Sequence, residues 1–188
     1  VNKLSDNTAT TAYDLASIGT YDWWACFNSG SFASPDTKSG GPGDISATAI
    51  AGVSSNSSTG HYVQFLKFSS GTPTASNTSS PNGDDGAVIV GQAGSTVGTS
   101  TTRFTIDIGT TQRTISIWFL SVPADTVAIT ASLSDGSASN YTYSGTNNLW
   151  NTRLDLTAKA GSAAQTLTVD IENQTGTGYI YVQGAAIA

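Results

Sequence analysis

The chain has 188 residues and a formal net charge of −6, and charged residues make up only 11% of it. Its seven lysines and arginines are scattered, so no basic patch offers a surface for nucleic acid or for an anionic membrane. No apolar run approaches the roughly 20 residues of a membrane-spanning helix, so membrane insertion is not expected. Abundant glycine, serine and threonine disfavour helices, whereas the recurring Val, Ile, Thr and Tyr residues favour pleated sheets.

The first half of the chain predicts short strands separated by long loops. Residues 12–27, AYDLASIGTYDWWACF, predict two short strands hinged at Gly19. Two segments rich in Gly, Pro, Asn and Asp, at 34–44 and 69–86, are typical of loops. Further strands are predicted at 45–51, 61–68 and 87–92.

The second half alternates more regularly between apolar and polar residues. In RFTIDI, at residues 103–108, apolar side chains occupy every second position and Arg103 lies on the polar face. The same alternation predicts strands at 113–121, 127–133, 153–157, 166–172 and 178–188. About ten short strands in all predict an all-β fold, a two-sheet antiparallel β-sandwich of the jelly-roll-like kind.

The organisation of the chain predicts one domain. No stretch of linker composition divides residues 1–188, and residues 1–11, VNKLSDNTATT, are expected to form an extended leader. A single cysteine, Cys26, cannot form an internal disulfide and is expected to be a small buried hydrophobe. Low charge with abundant Ser, Thr, Asn and Gly is typical of an extracellular surface, so we predict a secreted protein.

Residues suited to catalysis are scarce. The chain has one histidine, His61, one glutamate, Glu172, and no G-x-S-x-G nucleophile motif. A Ser-His-Asp relay stays open, because its members lie far apart in any sequence. The twelve aspartates could supply a carboxylate pair for glycoside hydrolysis, but most are expected in turns or on outward strand positions. We therefore predict that the protein is not an enzyme.

One segment offers ligands for a metal ion. NGDDG, at residues 82–86, places Asp84 and Asp85 between flexible glycines, and hard oxygen ligands of this kind suit structural calcium. The spacing lacks the full pattern of an EF-hand loop, so a solvated turn is the alternative. One histidine and one cysteine make a zinc site improbable.

The adjacent tryptophans of TYDWWACF are predicted to point to opposite faces of a strand. Trp23 alternates with other apolar residues and is predicted in the core. Trp24 shares the other face with Asp22 and Cys26 and is predicted to be exposed. An exposed indole gives apolar contact to the C–H groups of a sugar ring, while neighbouring polar side chains bind its hydroxyls.

Two further tryptophans have the same expected role. Trp118 lies on the polar face of RTISIWFLS, and the predicted next strand presents small side chains there: Ala128, Thr130 and Ser132. Trp150 lies among asparagines in GTNNLWNTR. We therefore predict Trp24, Trp118 and Trp150 as sugar platforms. The predicted hydroxyl contacts are Asp22, Asn148, its neighbour Asn147, and Arg103.

Five segments of the chain carry a family resemblance: TAYDLASIGTYDWW, RFTIDIGTTQRTISIWF, ITASLSDGSASNYT, AGSAAQTLTVDIENQ and YIYVQGAAIA. Together they resemble a domain of large secreted bacterial proteins, where it occurs beside glycoside hydrolases, polysaccharide lyases and adhesin-like repeats. The resemblance covers most of residues 13–188, with LSDGSA (133–138) and GTxDW (19–23) as its most specific pieces. It implies an accessory carbohydrate-binding β-sandwich. The chain departs from the family at 24–27, where WACF replaces a His-Trp-Gly-like continuation.

Two functions of different classes follow. The first is a non-catalytic carbohydrate-binding module that recognises polysaccharide or cell-surface glycan through exposed aromatic residues, with a linked catalytic domain as its expected partner. The alternative is a self-associating extracellular structural or adhesin subunit. In that case residues 1–11 would add a strand to the sheet edge of a neighbouring copy.

Overall fold

The computed structural model confirms the predicted fold class, since its described residues form an antiparallel β-sandwich with one short helix. The described residues are 3–6, 13–26, 35–50, 56–58, 66–72, 76–77, 87–90, 101–121, 126–146, 152–174 and 180–188. Among them, no helix is long and apolar enough to cross a bilayer.

The elements follow one another along the chain as mostly short strands in the first half and longer ones in the second. In order they are β1 (Lys3–Asp6), β2 (Tyr13–Asp14), α1 (Leu15–Ile18), β3 (Asp22–Ala25), β4 (Asp36–Lys38), β5 (Ile45–Ile50), β6 (Asn56–Ser58), β7 (Leu66–Ser69), β8 (Gly71–Thr72), β9 (Ser76–Asn77), β10 (Ala87–Val90), β11 (Thr101–Ile108), β12 (Arg113–Ser121), β13 (Thr126–Leu133), β14 (Tyr141–Thr146), β15 (Thr152–Ala158), β16 (Gln165–Asn173) and β17 (Ile180–Ile187).

Two sheets form the sandwich. Within the described residues the larger has nine strands, in the order β1-β15-β12-β17-β3-β4-β8, with β10 paired to β17 and β6 paired to β10. The smaller has five strands within the same residues, in the order β14-β13-β16-β11-β5. A small third group, β2-β7-β9, lies with α1 against the outer face of the larger sheet. The larger sheet is therefore covered on both of its faces.

The inner core fills the space between the two large sheets. It consists of the alternating apolar residues that the sequence places on one face of each strand, such as Phe104, Ile117 and Val169. Each of these side chains is fully buried. The period-2 alternation of the sequence therefore correctly predicts which side chains of these strands enter the inner core.

A bulge keeps β17 in register with this core. Trp118 pairs with Gly184, but the next residue, Phe119, pairs with Val182, so Gln183 is the extra residue. Without the bulge, strict alternation from Val182 would turn Ala185 and Ile187 away from the inner core. With the bulge, Ile187 joins the inner core on the same side as Val182.

The outer core lies between the larger sheet and the small third group. Its buried members are Leu15, Trp23, Ala25, Leu66, Phe68, Trp118 and Ala186. The rings of Trp23 and Phe68 lie 4.6 Å apart, and those of Trp118 and Tyr13 lie 5.7 Å apart. This second core was not predicted, and it removes the open sheet face on which exposed tryptophans were expected.

The segment before β3 differs from its prediction. In place of the first of two short strands, the chain forms the two-residue β2 and the four-residue α1. The side chain of Asp14 caps α1 by accepting a hydrogen bond from the backbone N–H of Ala16, at 3.0 Å. Gly19 ends the helix where a Cβ atom would lie 2.5 Å from the carbonyl oxygen of Asp22. At Gly19, where a hinge was predicted, the backbone is closely packed against that of Asp22.

Candidate functional site

A polar cleft opens at one end of the sandwich. It lies where β11 and β17 end and where β3, β5 and β12 begin, so both large sheets contribute to it. Two adjoining hollows of about 250 and 270 Å³ share Asp44, Asp107, Ile108 and Gly109. We call this surface the end cleft. Its polar lining consists of Tyr21, Asp44, Asp107, Thr110, Thr111 and Arg113.

Tyr21 and Arg113 line the first of these hollows, the one of about 250 Å³. The guanidinium carbon of Arg113 lies 3.8 Å from the centroid of the Tyr21 ring, a close cation–π contact. The Tyr21 hydroxyl donates a hydrogen bond to the Asp44 carboxylate, and this bond raises the pKa of Tyr21. In the described part of the chain, Arg113 has no carboxylate within ion-pair distance. Its N–H groups are therefore available to a ligand.

Asp44 and Asp107 place two carboxylates beside this pair. The backbone N–H of Asp107 donates to the carbonyl oxygen of Asp44 at 2.8 Å, which extends the pairing of β11 with β5 by one residue. Asp107 itself is exposed. The end cleft thus combines an aromatic ring, a guanidinium donor and two carboxylate acceptors.

Asp22 lies beneath the end cleft and fixes the backbone of two segments next to it. Its side chain is buried, and its two carboxylate oxygens accept hydrogen bonds from the backbone N–H groups of Trp23, at 2.9 Å, and Asp44, at 2.8 Å. Burial raises the pKa of Asp22, although these two hydrogen bonds counteract the increase. Asp22 was predicted as a sugar contact. The structure makes it a residue that positions Asp44 and is itself shielded from a ligand.

Lys38 fixes the backbone next to Tyr21. Its ammonium group donates hydrogen bonds to the carbonyl oxygens of Gly19, at 3.2 Å, of Tyr21, at 3.3 Å, and of Thr20. The neighbouring turn is equally tight, because a Cβ atom at Gly41 would lie 2.6 Å from the Asp22 carboxylate. The GTxDW motif of the sequence therefore has a structural explanation: it orders the segment that presents Tyr21.

Asp135 orders the loop on the other side of the cleft. Its carboxylate accepts hydrogen bonds from the backbone N–H groups of Ser137, at 3.0 Å, Gly161, at 2.8 Å, and Ser162, at 3.3 Å. These bonds, that of Ser137 first, lower the pKa of Asp135. Ala163 and Ala164, which follow in the same loop, line the end cleft.

The lowered pKa of Asp135 predicts a pH-dependent contribution to stability. Because the folded state favours the ionised form, the contribution is present above the ordinary pKa of 3.8 and is lost as the pH falls through the lower folded-state value. The difference in melting temperature between the wild-type chain and Asp135→Asn should therefore be larger at about pH 7 than at about pH 2.5. A difference that does not depend on pH would show that the carboxylate charge is unimportant.

The structure contradicts the predicted exposure of two tryptophans. Trp24 is 2% exposed and lies in the inner core, edge-on to Phe104 with ring centroids 5.6 Å apart. Trp118 is 0% exposed and lies in the outer core. The predicted neighbours of Trp118 (Ala128, Thr130, Ser132) belong to β13, which is in the other sheet. Neither indole can stack on a sugar without unpacking the fold.

Arg103 lies on a different surface from the end cleft. It projects from the outward face of β11, where its guanidinium donates two hydrogen bonds, both 2.7 Å long, to the Asp170 carboxylate. This contact raises the pKa of Arg103. Its side chain is 42% exposed. Arg103 remains a predicted contact, one that would serve a ligand on the flat face of the smaller sheet.

The other predicted site residues lie outside the described residues. They are Trp150, Asn147, Asn148, Asp84 and Asp85. Among the described residues, no group of three or more His, Cys, Asp or Glu side chains could hold a metal ion. Calcium at Asp84 and Asp85 stays a prediction.

The end cleft contains residues that the sequence analysis did not select. Tyr21 lies two residues before Trp23, on the alternating face that the sequence predicts to be in the core, and Asp44 is the last residue of the predicted loop 34–44. Asp107 and Arg113 flank the short turn between β11 and β12, which brings their side chains to one end of the sandwich. The only signal in the sequence was the polar residue at the boundary of each of these strands.

Comparison with known proteins gives loose likenesses. No family model and no curated protein matches the chain. Among solved structures, the enzymatically active domain of bacteriophage CBA120 tailspike protein 4 aligns over 78% of this chain at 11% identity, with a TM-score of 0.45. This chain spans only 19% of that tailspike chain.

Two carbohydrate-binding modules align over more of their own length. TmCBM61, solved with β-1,4-galactotriose, is 10% identical, with 88% of this chain and 87% of that chain covered and a TM-score of 0.39. CBM36, solved with calcium and xylotriose, is 11% identical, with 76% and 99% covered and a TM-score of 0.36. Every score is below 0.5, so none of these likenesses identifies a ligand for this chain.

Proposed function

We propose that the protein is a non-catalytic, secreted carbohydrate-binding domain whose glycan ligand occupies the end cleft. The observation that carries the proposal is the arrangement around Tyr21: its ring lies against the Arg113 guanidinium, its hydroxyl bonds Asp44, and Asp107 lines the same hollow. The family resemblance of the sequence supports the same class of function. In this proposal the Tyr21 ring, in place of the predicted tryptophans, gives apolar contact to the sugar ring.

The chemistry of the end cleft suits a neutral, hydroxyl-rich ligand. Carboxylates accept hydrogen bonds from sugar hydroxyls, and the guanidinium of Arg113 donates to hydroxyl or ring oxygens. Two carboxylates, Asp44 and Asp107, and one guanidinium line the end cleft, so its net charge is negative and disfavours an anionic glycan. The hollows are small, so modest affinity for each binding site is expected.

Affinity electrophoresis of the purified chain through a panel of soluble polysaccharides tests the proposal. The wild-type chain should be retarded by at least one neutral polysaccharide, and Tyr21→Ala should weaken that binding about tenfold, since it removes one contact worth about 1–1.5 kcal/mol. Tyr21→Phe keeps the ring against Arg113, so it should lose less affinity for the polysaccharide than Tyr21→Ala does.

Two arginines provide a matched control in the same gel. Arg113→Ala should weaken binding as Tyr21→Ala does, whereas Arg103→Ala should leave it unchanged, because Arg103 lies on the outward face of β11. Retardation that depends on Arg103 and not on Arg113 would place the glycan on the smaller sheet and overturn the end cleft as the site.

The alternative of strand exchange also has an observation behind it. Lys3–Asp6 of the leader forms the edge strand β1, which pairs with β15 of the same chain through four residues. An edge strand with so short a pairing is of the kind that neighbouring copies can exchange.

Gel filtration of the full chain and of a chain lacking residues 1–11 tests this alternative. Under our proposal the full chain elutes as a monomer. If the full chain instead forms oligomers and the truncated chain does not, the self-associating subunit becomes the better description. Circular dichroism checks that the truncated chain still folds, because removing β1 leaves the edge of β15 uncovered.

A further inference from the structure

A third hollow lies beside the two that form the end cleft, and its lining is more apolar than polar. It opens at the same end of the sandwich, between the end of β13 and the end of β15, and has a volume of about 90 Å³. We call it the apolar hollow. Its lining includes Ala131, Leu133, Ala138, Leu156, Ala158 and Leu167. The lining also has five polar residues: Ser132, Ser139, Tyr141, Thr157 and Lys159.

Strand pairing sets the distance between the apolar hollow and the end cleft. Ile106 of the end cleft pairs with Leu167 of the apolar hollow in the smaller sheet. Arg113 of the end cleft pairs with Ala158 of the apolar hollow in the larger sheet. Paired strands lie about 4.8 Å apart, so on both walls the two sites are separated by a single strand spacing. A substituent on a sugar in the end cleft is within reach of the apolar hollow.

The size of the apolar hollow limits what it can hold. A cavity of about 150 Å³ lined by apolar side chains takes up benzene, with six carbon atoms. On that scale, about 90 Å³ corresponds to roughly three or four non-hydrogen atoms. A sugar ring, with six ring atoms, is too large. An acetyl group, with one methyl carbon, one carbonyl carbon and one oxygen, has the right size.

The chemistry of the lining agrees with this size. The alanine and leucine side chains offer contact for a methyl group, and the hydroxyl groups of Ser139 and Tyr141 are the kind of donor that a carbonyl oxygen needs. We propose that the apolar hollow is a subsite for an acetyl substituent carried by the glycan in the end cleft. This inference rests on the proposed function, because the sugar itself is held by Tyr21 and its neighbours.

The test compares each polysaccharide of the panel before and after its acetyl esters are removed with alkali, with acetylated xylan and acetylated glucomannan included. Burial of one methyl group predicts that the wild-type chain binds the acetylated form about fourfold more tightly. Ala131→Leu fills the apolar hollow from the core side and should bind both forms alike. Ala138→Leu fills it from the exposed rim, so it serves as the second variant if Ala131→Leu does not fold.

The outcomes separate the two proposals. If the wild-type chain binds both forms equally, or if Ala131→Leu and Ala138→Leu keep the preference, the acetyl subsite is overturned while the glycan site in the end cleft stands. If Tyr21→Ala weakens both forms and the preference disappears only in the filled variants, both proposals are supported. If no polymer in either form retards the wild-type chain, the proposed function fails, and the acetyl subsite fails with it.

Discussion

Replacing Trp118 by alanine is expected to lower the free energy of unfolding by about 3–5 kcal/mol, the usual cost of removing a buried aromatic side chain. Trp118 is 0% exposed, and its ring lies against Tyr13 in the outer core. The substitution leaves a cavity between β12 and the small third group. Neither layer is expected to collapse far enough to fill it. Because the small third group covers β3 as well, the loss should loosen the segment that carries Tyr21.

Urea unfolding followed by circular dichroism measures this effect. Trp118→Phe is the control, and it should cost well under half as much, because it keeps a ring in place. It also removes an indole N–H that has no hydrogen-bond partner in the described part of the chain. Unchanged stability in Trp118→Ala would mean that this side chain is on the surface, as a sugar platform would be.

Replacing Asp22 by alanine is expected to lower the free energy of unfolding by about 2–4 kcal/mol, because one buried and one partly buried backbone N–H group lose their acceptor at about 1–2 kcal/mol each. These are the N–H groups of Trp23 and Asp44. The nearby Lys38 ammonium also loses the favourable charge of the carboxylate. Since Asp44 is no longer held against β3, glycan binding should weaken along with the fold.

Asp107→Ala is the matched control for Asp22→Ala. Asp107 is exposed and its side chain supports no backbone segment, so its removal should change stability by no more than about 0.5 kcal/mol. It should still weaken glycan binding, since it removes an acceptor from the end cleft. The pair separates a positioning residue from a contact residue: urea unfolding should report Asp22→Ala alone, and affinity electrophoresis should report both. Equal stability of the two variants would contradict the role assigned to Asp22.

The sequence predicted which way side chains point better than it predicted what covers them. Alternation placed Trp23 and Trp24 on opposite faces of β3, and the structure has them in different cores. Alternation carries no information about a third layer, however. The residues that form it come from β2 and α1, just before β3, and from β7, and they cover strands as distant in the chain as β12 and β17. Trp24 was expected to be exposed for a different reason: alternation does not show which sheet packs against the other face of β3, and the structure has Trp24 in the inner core.

The end cleft was hidden from sequence reasoning for a related reason. Tyr21, Asp44, Asp107 and Arg113 lie at the boundaries of four different strands and meet only after both sheets have closed. Each residue by itself is an ordinary polar side chain at the end of a strand. The GTxDW motif did mark the right neighbourhood. Its aspartate, Asp22, holds the backbone of Asp44 from the interior, and Tyr21, the proposed contact residue, lies one position before it.

The measurement that tests the end cleft most directly is an NMR titration of the ¹⁵N-labelled chain with oligosaccharide fragments of whichever neutral polysaccharide retards it most in the affinity gels. We expect the largest amide shifts at residues 20–22, 43–45 and 107–113, with little change on the outward faces of β13 and β16. Shifts centred on those outward faces, or on the segment around Trp150, would contradict the assignment of the glycan site to the end cleft.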